Sequence, residues 1–250
     1  MAKSVVGLYN DEILLSFDEK EHCYSIEGRK DHPPGVTSII KETLGTSMGI
    51  AQWMANVAVD ARDAGMPSKE AKLAHRTISK TATNIGKTVH AWAKRALLEP
   101  VLPPLPEDPQ ARKGCEAFRD WLRATDLGTI HSEMLCFSRE HYYAGTLDLL
   151  SIGRKTSLLD LKTSSDVYRE MPLQLGGYAI CVEEMMGLKI DEGWIVILDK
   201  LTGRCKPYPV PITQKLKQTF IHLRDLHRDL PYLDKLTEEV KSNGLRQAAA

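Results

Sequence analysis

Two aspartates and a lysine stand in neighbouring apolar segments of the chain. Asp148 lies within Leu147–Leu150, Asp160 lies within Leu158–Leu161, and Lys162 follows two residues later. A carboxylate in such a segment is costly unless a cation compensates its charge, and two hard oxygen ligands suit Mg²⁺ or Mn²⁺. A lysine beside that cation can orient or deprotonate a water, or neutralise developing charge. These residue types therefore indicate metal-assisted chemistry on a substrate phosphate.

The strand pattern brings the three side chains to one patch. Residues 143–152 and 157–163 alternate with period 2, and the turn at 153–156 makes them an antiparallel hairpin. In that hairpin Asp148 lies beside Asp160, and side chains two residues apart share a face. An ion pair on a solvated strand face is the alternative interpretation of the Asp-x-Lys pattern taken alone.

Four short motifs follow one another in the chain. They are a small residue and a histidine four apart on a helix (Gly86–His90), G-x-x-D (Gly145–Asp148), D-x-K (Asp160–Lys162) and Q-x-x-x-Y (Gln174–Tyr178). In this order and spacing they resemble the RecB-like branch of the PD-(D/E)xK nuclease superfamily, over roughly residues 80–200. Each motif is weak alone, and the four together are specific.

The resemblance implies roles for individual residues. It makes Asp148, Asp160 and Lys162 the catalytic residues. The implied metal ligands are His90, Asp148, Asp160, the backbone carbonyl of Leu161 and Glu133, for which a solvated edge position is the alternative. Residues expected to brace the site or contact the substrate are Gln174, Tyr178, Gly86, Thr163, Lys80, Lys87 and Lys94.

The implied activity is that of a Mg²⁺- or Mn²⁺-dependent deoxyribonuclease, an exonuclease of phage-type recombination or repair. Its partners would be DNA and, further, a phage recombination or single-strand-binding protein. A structure-specific endonuclease, a catalytically silent nucleic-acid-binding protein and a metal-dependent hydrolase of another substrate are the alternatives. Only Cys181 and Cys205 follow the lysine motif, so we expect no iron–sulfur cluster.

Charge is distributed unevenly along a neutral chain. The 250 residues contain 33 Lys and Arg against 33 Asp and Glu, which excludes a globally basic nucleic-acid binder. Residues 68–98, however, carry seven basic side chains against one acidic one, a local charge of +6. This segment leads into His90, so it is predicted to track phosphates; a solvated helix face is the alternative.

Composition bounds the class of protein. No apolar run approaches the ~20 residues of a membrane span, and the N-terminal segment lacks a secretory signal. We expect a cytoplasmic protein with no membrane partner, and the resemblance implies a bacterial or phage-infected cell. The five cysteines are scattered without a CxxC pair, which argues against a zinc knuckle or a disulfide framework.

The periodicity predicts an α/β fold: a mixed central sheet flanked by helices, with a helical N-terminal region, which the resemblance makes a restriction-endonuclease-like core. The predicted strands are 13–17, 23–26, 131–138, 143–152, 157–163 and 193–198. The predicted helices are a short one from about residue 36, then 49–64, 69–98 broken near Thr83–Asn84, 110–125, 172–186 and 212–230, which Pro231 ends or kinks. Thr37 or Ser38 and Ser68 are the candidate helix N-caps.

The same periodicity divides the chain into three parts. Residues 1–82 form a hairpin and helical region, 83–211 the nuclease core, and 212–250 a C-terminal helix and tail. The proline-rich stretch at 99–109 cannot be helix interior and is predicted to be a surface loop.

Overall fold

A five-stranded mixed sheet forms the centre of the fold in this computed structural model, which describes the backbone of residues 4–248 and the side chains of residues 4–243. Its strands, in spatial as well as chain order, are β4 (Thr129–Ser138), β5 (Tyr143–Ile152), β6 (Thr156–Lys162), β7 (Glu192–Leu198) and β8 (Cys205–Val210). The β6–β7 pair is parallel and the other pairs are antiparallel. The predicted mixed α/β sheet is therefore confirmed.

Strand β8 was missed in the sequence because Pro207 and Pro209 lie within it. Proline lacks the amide that a central strand needs, so its presence argues against a strand. β8 lies at the edge of the sheet and pairs with β7 alone, where a missing donor is tolerated.

Seven helices are found among the described residues. They are α1 (Val36–Leu44), α2 (Met48–Asp63), α3 (Ser68–Ala71), α4 (Ala74–Leu98), α5 (Pro109–Ala124), α6 (Glu170–Met186) and α7 (Gln214–Ala248). Helices α1, α6 and α7 pack on one face of the sheet, and α4 with α5 packs on the other. Helix α6 supplies the crossover that the parallel pair β6–β7 requires.

A second, smaller sheet precedes the helices. It consists of β1 (Ser4–Leu8), β2 (Ile13–Asp18) and β3 (Cys23–Ile26), all antiparallel. The β2–β3 hairpin is the predicted one, whereas β1 was not predicted. Leu15 and Tyr24 of this sheet pack against Leu135 and Phe137 of β4, so the small sheet covers one end of the large one.

The expected break at Thr83–Asn84 is wrong, because α4 runs unbroken from residue 74 to residue 98. The Thr83 hydroxyl donates to the carbonyl of Ser79 and the Thr88 hydroxyl to that of Asn84, so these polar side chains bond within the helix rather than interrupting it. The real interruption lies at residues 72–73, after the single turn of α3.

The predicted helix ends also need correction. Helix α1 starts at Val36, directly after Gly35, with no side-chain cap, so neither Thr37 nor Ser38 caps it. Pro67 occupies the N-cap position of α3, and Ser68 is already helical. Helix α7 continues through Pro231 instead of ending there. Residues 249–250, the end of the expected tail, lie outside the described residues.

Across residues 4–248, no helix combines the length and the apolar character needed to cross a membrane.

Candidate metal-binding active site

Strands β5 and β6 place the two aspartates side by side. The last paired residues of this ladder are Leu149 and Leu159, and Asp148 and Asp160 come next on the two strands. Beyond that pair the Leu161 amide donates to Oδ2 of Asp148 at 2.7 Å. The Asp148 carboxylate thus takes over the role of a backbone acceptor and is held at the point where β5 and β6 separate.

Lys162 lies on the same strand face as Asp160, as the two-residue spacing predicts. Its Nζ is 2.7 Å from Oδ1 of Asp160 and donates to Oε1 of Gln174 at 3.2 Å. The Gln174 amide in turn donates to the Tyr178 hydroxyl at 2.9 Å. Lys162 is therefore held between Gln174 of α6 and Asp160 of its own strand.

Gly145, the first residue of the G-x-x-D motif, is explained by this bracing. A Cβ at residue 145 would lie 2.6 Å from Cε1 of Tyr178, closer than carbon atoms tolerate. The missing side chain lets the buried Tyr178 ring pack directly on β5, and that contact sets how near α6 comes to the sheet. The G-x-x-D motif thus combines a packing requirement at Gly145 with a chemical one at Asp148.

His90 reaches the site from α4 on the other face of the sheet. Its Nδ1 is 3.4 Å from Oδ1 of Asp148 and 3.9 Å from Oε1 of Glu133. One turn earlier, a Cβ on Gly86 would lie 3.2 Å from the Thr163 hydroxyl. A small residue at position 86 therefore allows α4 to approach the end of β6, and that approach delivers the imidazole.

Glu133 joins the cluster through an unusual backbone. It lies between two paired residues of β4, Ser132 and Met134, yet its φ is +52°. A residue other than glycine rarely adopts this left-handed conformation inside a strand, at a cost of about 1–3 kcal/mol. Of the two interpretations left open for Glu133, this geometry favours a place in the site over a solvated edge position.

Burial and neighbouring charge shift the protonation of the cluster. Burial lowers the pKa of His90, but the charges of Asp148 and Glu133 outweigh it and raise that pKa to about 9. Burial also opposes charge on Lys162, yet Asp160 and Asp148 raise its pKa. Both basic groups are therefore cationic at neutral pH in the metal-free protein.

The carboxyl groups respond in opposite ways. Burial raises the pKa of Asp148, but the charges of His90 and Lys162 outweigh this and keep it below its usual value. For Asp160 burial dominates, and with the charge of Asp148 it raises the pKa to about 6. Burial also raises the pKa of Glu133. Such crowding of carboxylates is costly without a cation between them.

The residues present fit a divalent cation. Ligand atoms of His90, Glu133 and Asp148 all lie within 4.8 Å of one another. Oδ2 of Asp160 is buried and has no hydrogen-bond partner among the described residues. One imidazole with several carboxylate oxygens suits Mn²⁺ and also Mg²⁺. The carbonyl of Leu161 and the hydroxyl of Thr163 remain predictions as ligand and phosphate donor.

The basic side chains expected to track phosphates are spaced seven apart along α4. Lys80, Lys87 and Lys94 are all exposed, and this spacing returns to nearly the same helix face. Lys94 lines a cavity of about 280 Å³ together with Glu133, Gln174 and Tyr178. One end of the lysine row therefore opens onto the candidate site.

Tyr24 is a site neighbour that sequence reasoning missed. Its hydroxyl is 2.9 Å from the hydroxyl of Thr146, two residues before Asp148, and its ring lines the 280 Å³ cavity. The two residues are 122 positions apart and no local pattern links them. Only the docking of the small sheet onto the large one brings them together.

Comparisons with known proteins found similar solved structures but no match in sequence. No family model and no curated protein matches the chain. Solved structures similar to it include that of SSO0001, at 13% identity and a TM-score of 0.44, covering 82% of this chain and 79% of that one. A putative exonuclease from Eubacterium rectale is also similar, at 13% identity and a TM-score of 0.42, with coverage of 64% and 68%. LHK-Exo in complex with dAMP shows 11% identity and a TM-score of 0.43, with coverage of 86% and 94%. What this chain does must therefore follow from its own side chains.

Proposed function

We propose that the chain is a Mg²⁺- or Mn²⁺-dependent deoxyribonuclease that hydrolyses phosphodiester bonds, as an exonuclease. The observation that carries the proposal is one cluster: His90, Glu133 and Asp148 within 4.8 Å of one another, beside the Asp160–Lys162 pair. The order of the four sequence motifs supports a role in phage-type recombination or repair. We assign the reaction to a core at residues 83–211, between an N-terminal region at 1–82 and a C-terminal helix and tail at 212–250.

His90, Glu133, Asp148 and Asp160 would hold the divalent cation. When bound, the cation supplies Lewis-acid chemistry to the phosphate ester. The hydrogen bond from the Leu161 amide keeps the Asp148 carboxylate oriented while His90 approaches it from the opposite layer. The site is thus assembled from three neighbouring strands, which contribute the carboxylates, and a helix on one face of the sheet, which contributes the imidazole.

Lys162 is the group that meets the reacting phosphate. Asp160 and Gln174 fix its ammonium in one place, and its raised pKa keeps it charged. A fixed ammonium orients an attacking water and neutralises charge as the water oxygen bonds to phosphorus and gives up its proton to solvent, while the ester bond breaks and its electron pair leaves on the ester oxygen. The lysine therefore acts through its charge and position in this proposal, and Gln174 and Tyr178 act by positioning it.

The test is cleavage of DNA labelled at its 5′ or 3′ end, beside a closed circle, in Mg²⁺, Mn²⁺ and EDTA. We expect the linear DNA to be degraded from an end, the circle to stay intact and EDTA to stop the reaction. Asp148→Asn and Asp160→Asn should abolish it, while Asp120→Asn, a surface carboxylate on α5, should not.

Other outcomes identify the alternatives. Nicking of the circle would show a structure-specific endonuclease. Binding without cleavage under every condition would show a catalytically silent nucleic-acid-binding protein, and hydrolysis of a different phosphate ester alone would show another metal-dependent hydrolase. Each of these would overturn the proposal of an exonuclease.

A further inference from the structure

A second and larger cavity adjoins the catalytic lysine. It measures about 890 Å³ and lies between β6, α6 and the helices α1 and α2. Lys162 and Gln174 line it on the side of the site. Its other walls are largely apolar and include Ile40, Ile50, Trp53, Tyr168 and Met171. Because the cavity lies next to Lys162, a ligand bound at the candidate site can extend into it.

Helix α2 gives this cavity its most unusual wall. None of its sixteen residues, all of them described, is buried. Ile50 is 48% exposed and Trp53 38% exposed, although both are of types that normally enter a core. Across the cavity, Tyr168 is 50% exposed. Large apolar surface of this kind, kept free beside a polar site, marks a place for a ligand.

The larger cavity is the more favourable of the two for an anionic ligand. Thr37 and Gln174 line both cavities, which are therefore neighbours. In the larger cavity two lysines, Lys41 and Lys162, face one carboxylate, Glu170, whereas the smaller cavity has two carboxylates and one lysine. An anionic chain with one phosphate at Lys162 can therefore place its neighbouring links in the larger cavity.

The chemistry of the larger cavity distinguishes unpaired from paired nucleotides. A base in a duplex is stacked between its neighbours and offers no free face to a side chain. A base in a single strand offers its whole face, and stacking on aromatic side chains is how single-stranded nucleic acid is bound without sequence preference. Aromatic walls beside the Lys162 ammonium therefore suit single-stranded nucleic acid.

We infer that the larger cavity holds bases of unpaired nucleotides on the strand being cut, with Trp53 and Tyr168 as stacking partners. The inference rests on the proposed nuclease function and names its substrate: nucleic acid that is single-stranded at the site. Paired DNA must open before it is cut, so single-stranded ends are the preferred substrate.

Binding separates this inference from the question of catalysis. A fluorescent oligo(dT) strand and a hairpin duplex of equal length are titrated with the protein in EDTA and in Ca²⁺. Trp53→Ala and Tyr168→Ala should each weaken oligo(dT) binding by about 5- to 150-fold, the range that corresponds to removing one base–aromatic stack. Trp53→Phe should restore most of the affinity, since it keeps an aromatic face.

Two further readouts exclude a general defect. The slope of log affinity against log salt should not change in the alanine variants, because stacking releases no counterions. Tyr232→Ala removes an aromatic residue of α7 that is 64% exposed and lies outside the cavity, so it should bind as the unmodified protein does. Melting curves report whether each variant is folded, and Tyr168→Ala carries the test if Trp53→Ala does not fold.

Equal affinity of Trp53→Ala and the unmodified protein for oligo(dT) would overturn the inference, and so would an equal weakening of duplex and single-strand binding. Absence of cleavage in any metal would overturn the proposed nuclease instead. A selective weakening of single-strand binding in the variants would still support the cavity as a binding site in that case.

Discussion

Lys162 shows how a single residue combines structural and chemical demands. Its ammonium bonds Asp160 and Gln174, so its charge is held in place before any substrate arrives. Lys162→Met should lower kcat about 10²- to 10³-fold, the usual effect of removing one preorganised charge donor. Lys162→Arg should not rescue the rate, because a planar guanidinium does not fit between these two partners.

Single-turnover cleavage measures this decrease, and the shift of the melting temperature by Mn²⁺ serves as the control for an intact metal site. We expect Lys162→Met to keep that shift. Recovery of the full rate by Lys162→Arg would show that any positive charge suffices at this position.

His90 makes the stability of the metal-free protein depend on pH. Its pKa is raised from 6.5 to about 9 because the charges of Asp148 and Glu133 outweigh burial. A raised pKa means that the protonated form stabilises the fold; this contribution is complete below pH 6.5 and disappears as the pH rises through 9. In EDTA, the melting temperature of the unmodified protein should therefore fall toward that of His90→Gln between pH 6.5 and 9.

Differential scanning fluorimetry across this pH range gives the comparison. His75→Gln changes another histidine of α4 and should leave the pH dependence unaltered. A difference between the unmodified protein and His90→Gln that stays constant with pH would contradict the assigned ion pair.

At the scale of elements, α4 serves two purposes along its length. Its middle delivers His90, and its exposed lysines at positions 80, 87 and 94 form a row that ends at the smaller cavity. Replacing these lysines by glutamine should weaken binding of all sequences alike. It should also flatten the salt dependence by about 0.7 log units per log salt for each single-strand phosphate that a lysine no longer neutralises.

Oligo(dT) binding from low to moderate salt provides the slope. The matched change elsewhere on the surface replaces three exposed lysines of α7 by glutamine: Lys215, Lys235 and Lys241. If the row of α4 lysines changes the slope no more than these three do, the row is merely a solvated helix face.

On the scale of the whole molecule, a cation that binds four residues from four elements should stabilise the entire fold. A cation at a hundred times its dissociation constant adds about 2.7 kcal/mol, which for a chain of this size corresponds to about 5–10 °C in melting temperature. Mn²⁺ titration followed by thermal melting measures the gain. Asp148→Asn and Glu133→Gln should abolish it, and an undiminished shift in both variants would place the cation elsewhere.

The parts of this architecture that the sequence predicts are those with local signals. Alternation along 143–152 and 157–163 predicts the hairpin, and that hairpin with the two-residue spacing predicts where Asp148, Asp160 and Lys162 lie. Strand β8 escapes prediction because its prolines lie at an edge of the sheet, where a missing amide donor is tolerated. Helix α7 continues through Pro231 although residues 231–243 are all exposed, so packing does not explain this departure from the local proline rule. The pairing of Tyr24 with Thr146 depends on how two sheets dock, which no short pattern contains.

The left-handed backbone at Glu133 sets stability against activity at one position. Glycine adopts that conformation without strain, and Glu133→Gly would also remove a crowded carboxylate from the metal-free site. The variant should therefore melt above the unmodified protein in EDTA, yet cleave poorly and show no gain in melting temperature from Mn²⁺. Selection for stability alone would therefore favour glycine at position 133, and selection for cleavage would favour glutamate. A variant that both melts lower and cleaves normally would deny that conflict.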